Sequence, residues 1–412
     1  MGNEWVERNV EEVANVFGGG TPSTKDEANF NGEIPWITPK DLSGYPFRYI
    51  SRGERNISKK GLNCSNAKLL PVGTVLLTTR APVGYVAIAA NPVTTNQGFH
   101  SLVPHNGYSS EFIYYLLKAN AEYLKSNASG TTFGELSGST LKRLKFVFPS
   151  IPEQRAIAVV LGSLDDKIEL NHHINATLES MARAVFKAWF VENEEAKGWK
   201  VSSLGELFPG DKQCVLTGPF GSHLHAHDYR SEGTPLILVK HVMDGKIIED
   251  NLPLVGDHKL PEMRRYQLKT GDIVFTRVGA VGRTAYIHPR YEGWLISGQT
   301  LRMRVSDTSK LNPRFLAQVY LEQSFIDMVE GFALGTTRPS LNTSILQSFK
   351  FVVPPIEIQG KFAEIVLSFD NKIQSNTAEN HTLAALRDAL LPRLMSGDVR
   401  VKDVGLIAGE KS

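Results

Sequence analysis

Cysteine is nearly absent: Cys64 and Cys214 are the only two in 412 residues. Two thiols cannot form a disulfide framework, and the count suits a reducing cytoplasm. Long apolar runs are missing too, since no stretch approaches the roughly 18 residues of a membrane span. The opening MGNEWVERNVEEV has neither a basic n-region nor an apolar h-region, so no export signal is expected and the chain reads as cytoplasmic. A dominant charge is also lacking. Lys and Arg number 45 against 43 Asp and Glu, a formal net charge of +2, which argues neither for nor against nucleic acid as a partner. What is present is an ordinary globular composition, 42% hydrophobic and 21% charged. At this length one core is not enough, and two or three domains are expected.

The chain states the same pattern twice. SGTTFGELSGSTLKRLKFVFP at 129–149 returns as LGTTRPSLNTSILQSFKFVVP at 334–354, with agreement at Gly130/Gly335, Thr131/Thr336, Thr132/Thr337, Leu136/Leu341, Leu141/Leu346 and Lys145/Lys350 among others. Trp5, Val10, Glu12 and Val13 share their spacing with Trp199, Leu204, Glu206 and Leu207. PWITPKDL at 35 matches PLILVKHV at 235, GTVLLTTRAPVG at 73 matches GDIVFTRVGAVG at 271, and TTNQGF at 94 faces LISGQT at 295. The offset drifts as small loop insertions would make it drift, and the period is too long for a solenoid. The chain is two copies of one module.

Each module begins with short strand-like runs punctuated by Gly and Pro: EIPWIT, TVLLTT, YVAIAA and LKFVF in the first copy, TPLILV, DIVFTR and FKFVV in the second. Helical stretches at 111–124 and 313–325 lie among them, so the expected unit is a mixed α/β domain. Each module then ends differently. Ser150-Ile-Pro-Glu153 resembles a capping box with Pro152 in the first turn, and about 40 residues free of Gly and Pro except Gly162 follow. Apolar residues recur in steps of three and four at Ile157, Leu161, Leu164 and Ile168, then at Leu178, Val185 and Trp189. The matching seam of the second copy is Phe362, Val366, Phe369 and Ile373, then Leu383 and Leu390. This narrow heptad stripe predicts a coiled-coil seam. Asn171 and Asn175 interrupt it, as do Asn376 and Asn380 at the equivalent places. Asn in such a seam lowers stability but fixes register.

Two long helices in one chain predict an antiparallel pair that carries the chain out to the second domain and back. The expectation is a pseudo-twofold dumbbell with two α/β lobes, a shape suited to a bipartite site on duplex DNA. Local charge on its own reads first as solvated faces of mixed sign, with phosphate tracking as the alternative. Lys40, Arg48, Arg52, Arg55, Lys59, Lys60 and Lys68 face only Asp41 and Glu54, while Lys259, Arg264, Arg265, Lys269, Arg277 and Arg283 face only Glu262 and Asp272, giving two candidate phosphate-tracking patches.

At this point the residues resemble a known family. The two-copy plan, the helix starts PEQRAIAVVLGSLDDKIELN and EIQGKFAEIVLSFDNKIQSN, AVFKAWFV, and the ending LLPRLMSGDVRV are similar to the specificity subunit of type I restriction–modification enzymes. The resemblance implies a non-catalytic DNA-recognition subunit without a cofactor. It implies two target recognition domains (1–150 and 198–354) separated by spacer helices (151–197 and 355–412). It also implies assembly with two methyltransferase subunits and, in the full enzyme, two ATP-driven restriction subunits. Gly360, where the first copy has Arg155, departs from the pattern and is expected to loosen the first turn of the second helix.

An enzyme remains the reading to weigh against this. The only Pro-Pro, Pro354-Pro355, follows Val353, so no N/D-P-P-Y methylation motif exists, and no G-x-x-x-x-G-K-[ST] loop occurs. His223, His225 and His227, followed by Asp228, alternate as zinc ligands on a strand could, which makes a metal-dependent hydrolase the alternative. The first copy has no counterpart, so a loop presenting histidines to DNA is preferred. A coiled-coil adaptor that binds no DNA is the third reading.

Candidate contacts follow from residue type. GGGTPS at 18–23 and GPFGSH at 218–223 read as backbone-approach loops and bring Thr21, Ser23 and Lys25, or Ser222, His223 and His225. Thr131, Thr132, Thr336 and Thr337 belong to the shared frame and are expected to position the duplex. Arg338, where the first copy has Phe133, is a copy-specific candidate. Lys40, Arg55, Lys59, Lys60, Arg80 and Gln97 complete the first set; Lys240, Arg264, Arg265, Arg277, Arg283 and Gln299 complete the second. Divergent loops imply two different half-sites.

Overall fold

Every residue of Val75–Thr79 is buried, a short continuous run of the kind that fills the middle of a sheet. In the computed structural model, which describes residues 5–80, 82–129, 134–211, 213–219, 224–333 and 339–401, this strand is the centre of a five-stranded sheet. Its order is Ala14–Gly18, Phe99–Pro104, Val75–Thr79, Val83–Ala89, Tyr49–Ile50, antiparallel except for the last pair. A second sheet holds Phe30–Ile37 between Arg55–Ile57 and, in parallel, Thr94–Thr95. Val6–Asn9 pairs with Lys145–Phe148 just before the first long helix.

The second copy repeats these pairings. Val215–Thr217, Thr300–Met303, Ile273–Thr276 and Thr284–Tyr286 form a sheet in the same order. Thr234–Ile237 runs parallel to Leu295–Ile296, and Lys200–Ser203 pairs with Lys350–Val353. Gly73 and Gly271 turn into the central strands with φ of +82° and +89°, a conformation that costs glycine little. Both copies are mixed α/β, as expected. The helical stretches differ from expectation in being broken. Ser110–Ala119 stops where Asn120 Nδ2 turns back to Leu116 O at 2.8 Å, and Ala121–Ser126 restarts the helix. In the second copy Pro313–Val319 and Gln323–Ala333 are likewise separate. An amide that satisfies a helix carbonyl locally competes with continuation of the helix.

The long helices are Ile151–Phe186 and Ile356–Ser396. The first ends earlier than the expected spacer, passing into a π-turn at Lys187–Val191 and a 3₁₀ turn at Glu194–Gly198. The second is continuous through Gly360, so the missing side chain does not break its first turn. Two compact units emerge, Met1–Ile174 with Ser375–Ser412, and Asn175–Gln374. Each therefore contains one α/β lobe and a part of both long helices.

In the first unit the helices run antiparallel, since partners ascend on one while descending on the other. Glu153 pairs with Arg400, Asp165 with Arg387, both at 2.6 Å, and Asn171 Nδ2 donates to Asn380 Oδ1 at 2.8 Å. Glu153 is thus turned toward Arg400, and Gln154 makes the local cap instead, donating to Pro149 O at 3.0 Å. The expected seam is buried over Ile157, Leu161 and Ile168, with Leu164 partly buried and Leu390 buried opposite. It is wider than a heptad stripe, because Ala158, Leu391, Leu394 and Met395 also enter the core of the lobe.

In the second unit Phe186 and Phe362 meet at 5.6 Å between ring centroids. Phe362 and Val366 are buried in the lobe core, with Val185, Trp189 and Phe369 packed against it. Leu178 and Ile373 line a small cavity with Phe369. Arg314, from the lobe, forms a two-point ion pair with Asp370 of the helix at 2.6 and 3.2 Å, both side chains about nine-tenths buried.

Removing one partner of a buried ion pair strands the other charge. Asp370→Asn should lower unfolding stability by about 3–5 kcal/mol, and the apolar double change Arg314→Met/Asp370→Leu should recover most of the loss. Urea denaturation of the three proteins checks this; a single variant as stable as the parent contradicts it.

Acid should weaken both units. His100, His241 and His288 are all held below the ordinary histidine range, chiefly by burial. The unfolded chain takes up these protons near pH 6.5, whereas the fold resists until lower pH, so the unfolded state binds more protons in that window. Stability is therefore complete above about pH 6.5 and falls as pH drops below it. The urea midpoint at pH 5.5 should lie below that at pH 7.5, and equal midpoints would contradict the assignment.

Candidate nucleic-acid interface

In the first unit the strand Ala14–Gly18 runs into Gly19, whose N–H donates to Phe99 O at 3.2 Å, and Gly20, whose N–H donates to Thr95 O at 2.9 Å. A Cβ on Gly19 would stand 2.0 Å from Asn96 O, so only glycine permits this approach. The loop continues to Thr21, whose hydroxyl hydrogen-bonds the Gln97 side chain. Trp36 Nε1 donates to Gly20 O, and Asn29 Nδ2 to Ser23 O, both at 3.0 Å. The central strand ends beside this loop: Thr79 N donates to Gly98 O at 2.8 Å, and Leu136 N to Thr79 O at 2.9 Å. Arg80 follows, paired with Glu135 at 2.6 Å. Thr21, Ser23, Arg80 and Gln97 thus converge on one rim of the sheet.

The second unit builds the same rim. Gly218 N donates to Thr300 O at 3.1 Å, and a Cβ there would stand 2.0 Å from Ser297 O. Arg277 N donates to Gln299 O and Leu341 N to Arg277 O, each at 2.9 Å. Arg283 N donates to Thr276 Oγ1 at 2.9 Å, just as Tyr85 N does to Thr78 Oγ1. Arg277, Arg283 and Gln299 are therefore brought together. Thr131, Thr132, Ser222, His223, Thr336, Thr337 and Arg338 lie outside the described residues.

The basic windows are less positive in space than along the sequence. Lys40 pairs with Glu54 and Lys60 with Asp26, both at 2.7 Å, and Lys259 with Glu262 at 2.6 Å. Arg48 is not surface charge at all. It is 5% exposed and reaches Asp166 and Glu169 on the first long helix. Lys25, Lys59 and Lys240 remain exposed. Arg55 stacks over Phe30 at 4.2 Å, and Arg265 over Tyr266 at 4.6 Å.

The histidine cluster is organised around a turn. Asp228, almost fully buried, accepts from His225 N at 2.7 Å and lies 3.4 Å from His258 Nε2 and 3.6 Å from His227 Nε2. The His225 N–H contributes most to holding that carboxyl below its usual range. The His225 and His227 rings stack at 5.4 Å. Among the described residues no group of three His, Cys, Asp or Glu is arranged to hold a metal.

Sequence reasoning missed several positions that the repeat could have revealed. Gln154 and Gln359 both donate to the carbonyl five residues back. Asp165 and Asp370, equivalent in the two helix starts, each pair with an Arg, the partly buried Arg387 and the buried Arg314. His100 sits under the first rim, its Nδ1 2.8 Å from Thr79 Oγ1.

Comparison with known proteins follows the same two-copy plan. The sequence model of the type I restriction modification DNA specificity domain matches residues 2–180 and again 196–385. The specificity subunit of the type I restriction enzyme MjaIX of Methanocaldococcus jannaschii is 36% identical over 97% of this chain and 95% of its own. That of EcoBI from Escherichia coli is 21% identical over the whole chain and 90% of its own. Among solved structures, the type I restriction–modification S subunit of M. genitalium shares the fold, with a TM-score of 0.60 and 18% identity over 95% of this chain and 96% of that one. A twice-matched domain and a relative spanning nearly the full length place this chain in the type I restriction–modification DNA specificity family.

Proposed function

We propose that this chain is the non-catalytic DNA-recognition subunit of a type I restriction–modification complex. Each lobe reads one half of an asymmetric bipartite target through its rim. The two long helices set the gap between half-sites and offer the surface on which methyltransferase subunits dock. The observation that carries this reading is the rim built twice from equivalent backbone hydrogen bonds, at Gly19 and Gly218, Thr79 and Arg277, Leu136 and Leu341, but bearing different side chains. A conserved frame with divergent polar edges holds the duplex in one way and reads different bases. Thr21, Ser23, Lys25, Arg80 and Gln97 serve the first half-site; His225, Lys240, Arg277, Arg283 and Gln299 serve the second. No described helix is long and apolar enough to cross a membrane.

Exchanging residues 198–354 for those of another family member tests this. With the modification partner present, one half of the methylated motif should change and the other should remain. Simultaneous change of both halves would show that the lobes do not read independently. The purified chain alone should transfer no methyl group to DNA.

A further inference from the structure

Beside the first rim, the turn at 64–67 presses its backbone on the glycine loop. A Cβ on Gly20 would stand 2.2 Å from Ala67 N and 2.4 Å from the Asn66 carbonyl carbon. The polar groups around this turn are satisfied. Ser65 Oγ donates to Gly61 O at 2.7 Å and accepts from Ala67 N at 3.3 Å, while Cys64 Sγ donates to Asn29 Oδ1 at 3.3 Å. The Asn66 amide is the exception: it is exposed and has no hydrogen-bond partner among the described residues. It lines an open cleft with Gly18, Gly19 and Lys68. A side chain free at the tip of a fixed turn, facing the loop that approaches the duplex, is placed to read rather than to support.

The second copy closes the corresponding segment in the same way. Leu70 N donates to Val93 O, and Leu268 N to Trp294 O, both at 2.8 Å, each acceptor lying directly before the parallel strand. Where the first copy carries Asn66, the second carries Arg264-Arg265. Arg265 folds back on Tyr266, donating to its hydroxyl. Arg264 is left exposed with no partner among the described residues.

Asn and Arg both carry forks that match single bases in the major groove: the Asn amide pairs with adenine N6 and N7, the guanidinium with guanine O6 and N7. Asn can also donate to a phosphate, where it would carry no base preference. We infer that Asn66 reads an adenine in the half-site of the first lobe, and Arg264 a guanine at the corresponding place in the second. This rests on the proposed DNA-reading function.

The test is the methylated motif in cells that carry the chain and its modification partner. Asn66→Ala should admit other bases at one adenine of one half-site, with discrimination falling roughly 5- to 150-fold, and leave the other half-site as strict as before. Arg264→Ala should do the same at one guanine of the other half-site. A variant that still methylates with both half-sites unchanged overturns the assignment while leaving DNA recognition intact. A parent chain that directs no bipartite methylation sinks the underlying function instead. If a variant methylates nothing, the purified complex is titrated against duplexes carrying each base at each half-site position. Discrimination lost at one position, with the rest retained, supports the inference. Uniform weakening at every position, with a shallower salt dependence, marks a phosphate contact and overturns it.

Discussion

A buried amide fixes the alignment of the long helices. Asn171 is fully buried, and its Nδ2 donates to Asn380 Oδ1 and to Glu379 Oε2, both at 2.8 Å. A slip along the helix would leave that amide unpaired away from water, at about 1–3 kcal/mol. Apolar contacts alone would tolerate such a slip far better, since one aliphatic residue replaces another with little loss. Asp165 adds a second condition, accepting from Arg387 of the partner helix and from Tyr115 of the first lobe, both at 2.6 Å. Burial works against the Arg387 charge, but Asp165 and Asp388 together more than offset it and raise the pKa. Asp165 therefore both aligns the helices and ties the first lobe to them. Asp370 ties the second lobe to its helix through Arg314.

From that anchored base the lobe presents its rim. The rim's backbone is over-determined by glycine approaches and ladder-end hydrogen bonds that recur in both copies. Its side chains are under no such constraint, which lets one frame carry two specificities. Cores stay alike because packing decides them; edges diverge because only the partner decides them.

The repeat, the α/β class and the helix seam were readable from sequence because each is a periodicity, and periodicity needs no knowledge of distant contacts. Pairing of Phe30–Ile37 with Thr94–Thr95 in one copy and Thr234–Ile237 with Leu295–Ile296 in the other follows the aligned segments. What sequence could not show is where a charge goes once the chain folds. Arg48 counts as part of a basic run but is consumed by carboxylates more than a hundred positions away. Asp228 looks like a fourth metal ligand and instead closes a turn on His225 N. The seam is wider than its heptads because the lobe cores claim flanking residues such as Ala158 and Met395. Asn66 carries no signal of its own, since a lone Asn in a turn usually serves its own backbone.

The most direct test of helix control adds four residues to both helices, after Asn175 and after Ser375, and reads the methylated motif. Four residues lengthen a helix by about 6 Å, and base pairs stack about 3.4 Å apart. The spacer should grow by one or two pairs, with both half-sites unchanged. An active variant that keeps the parental spacer would contradict the account, because the helices would then not set the distance.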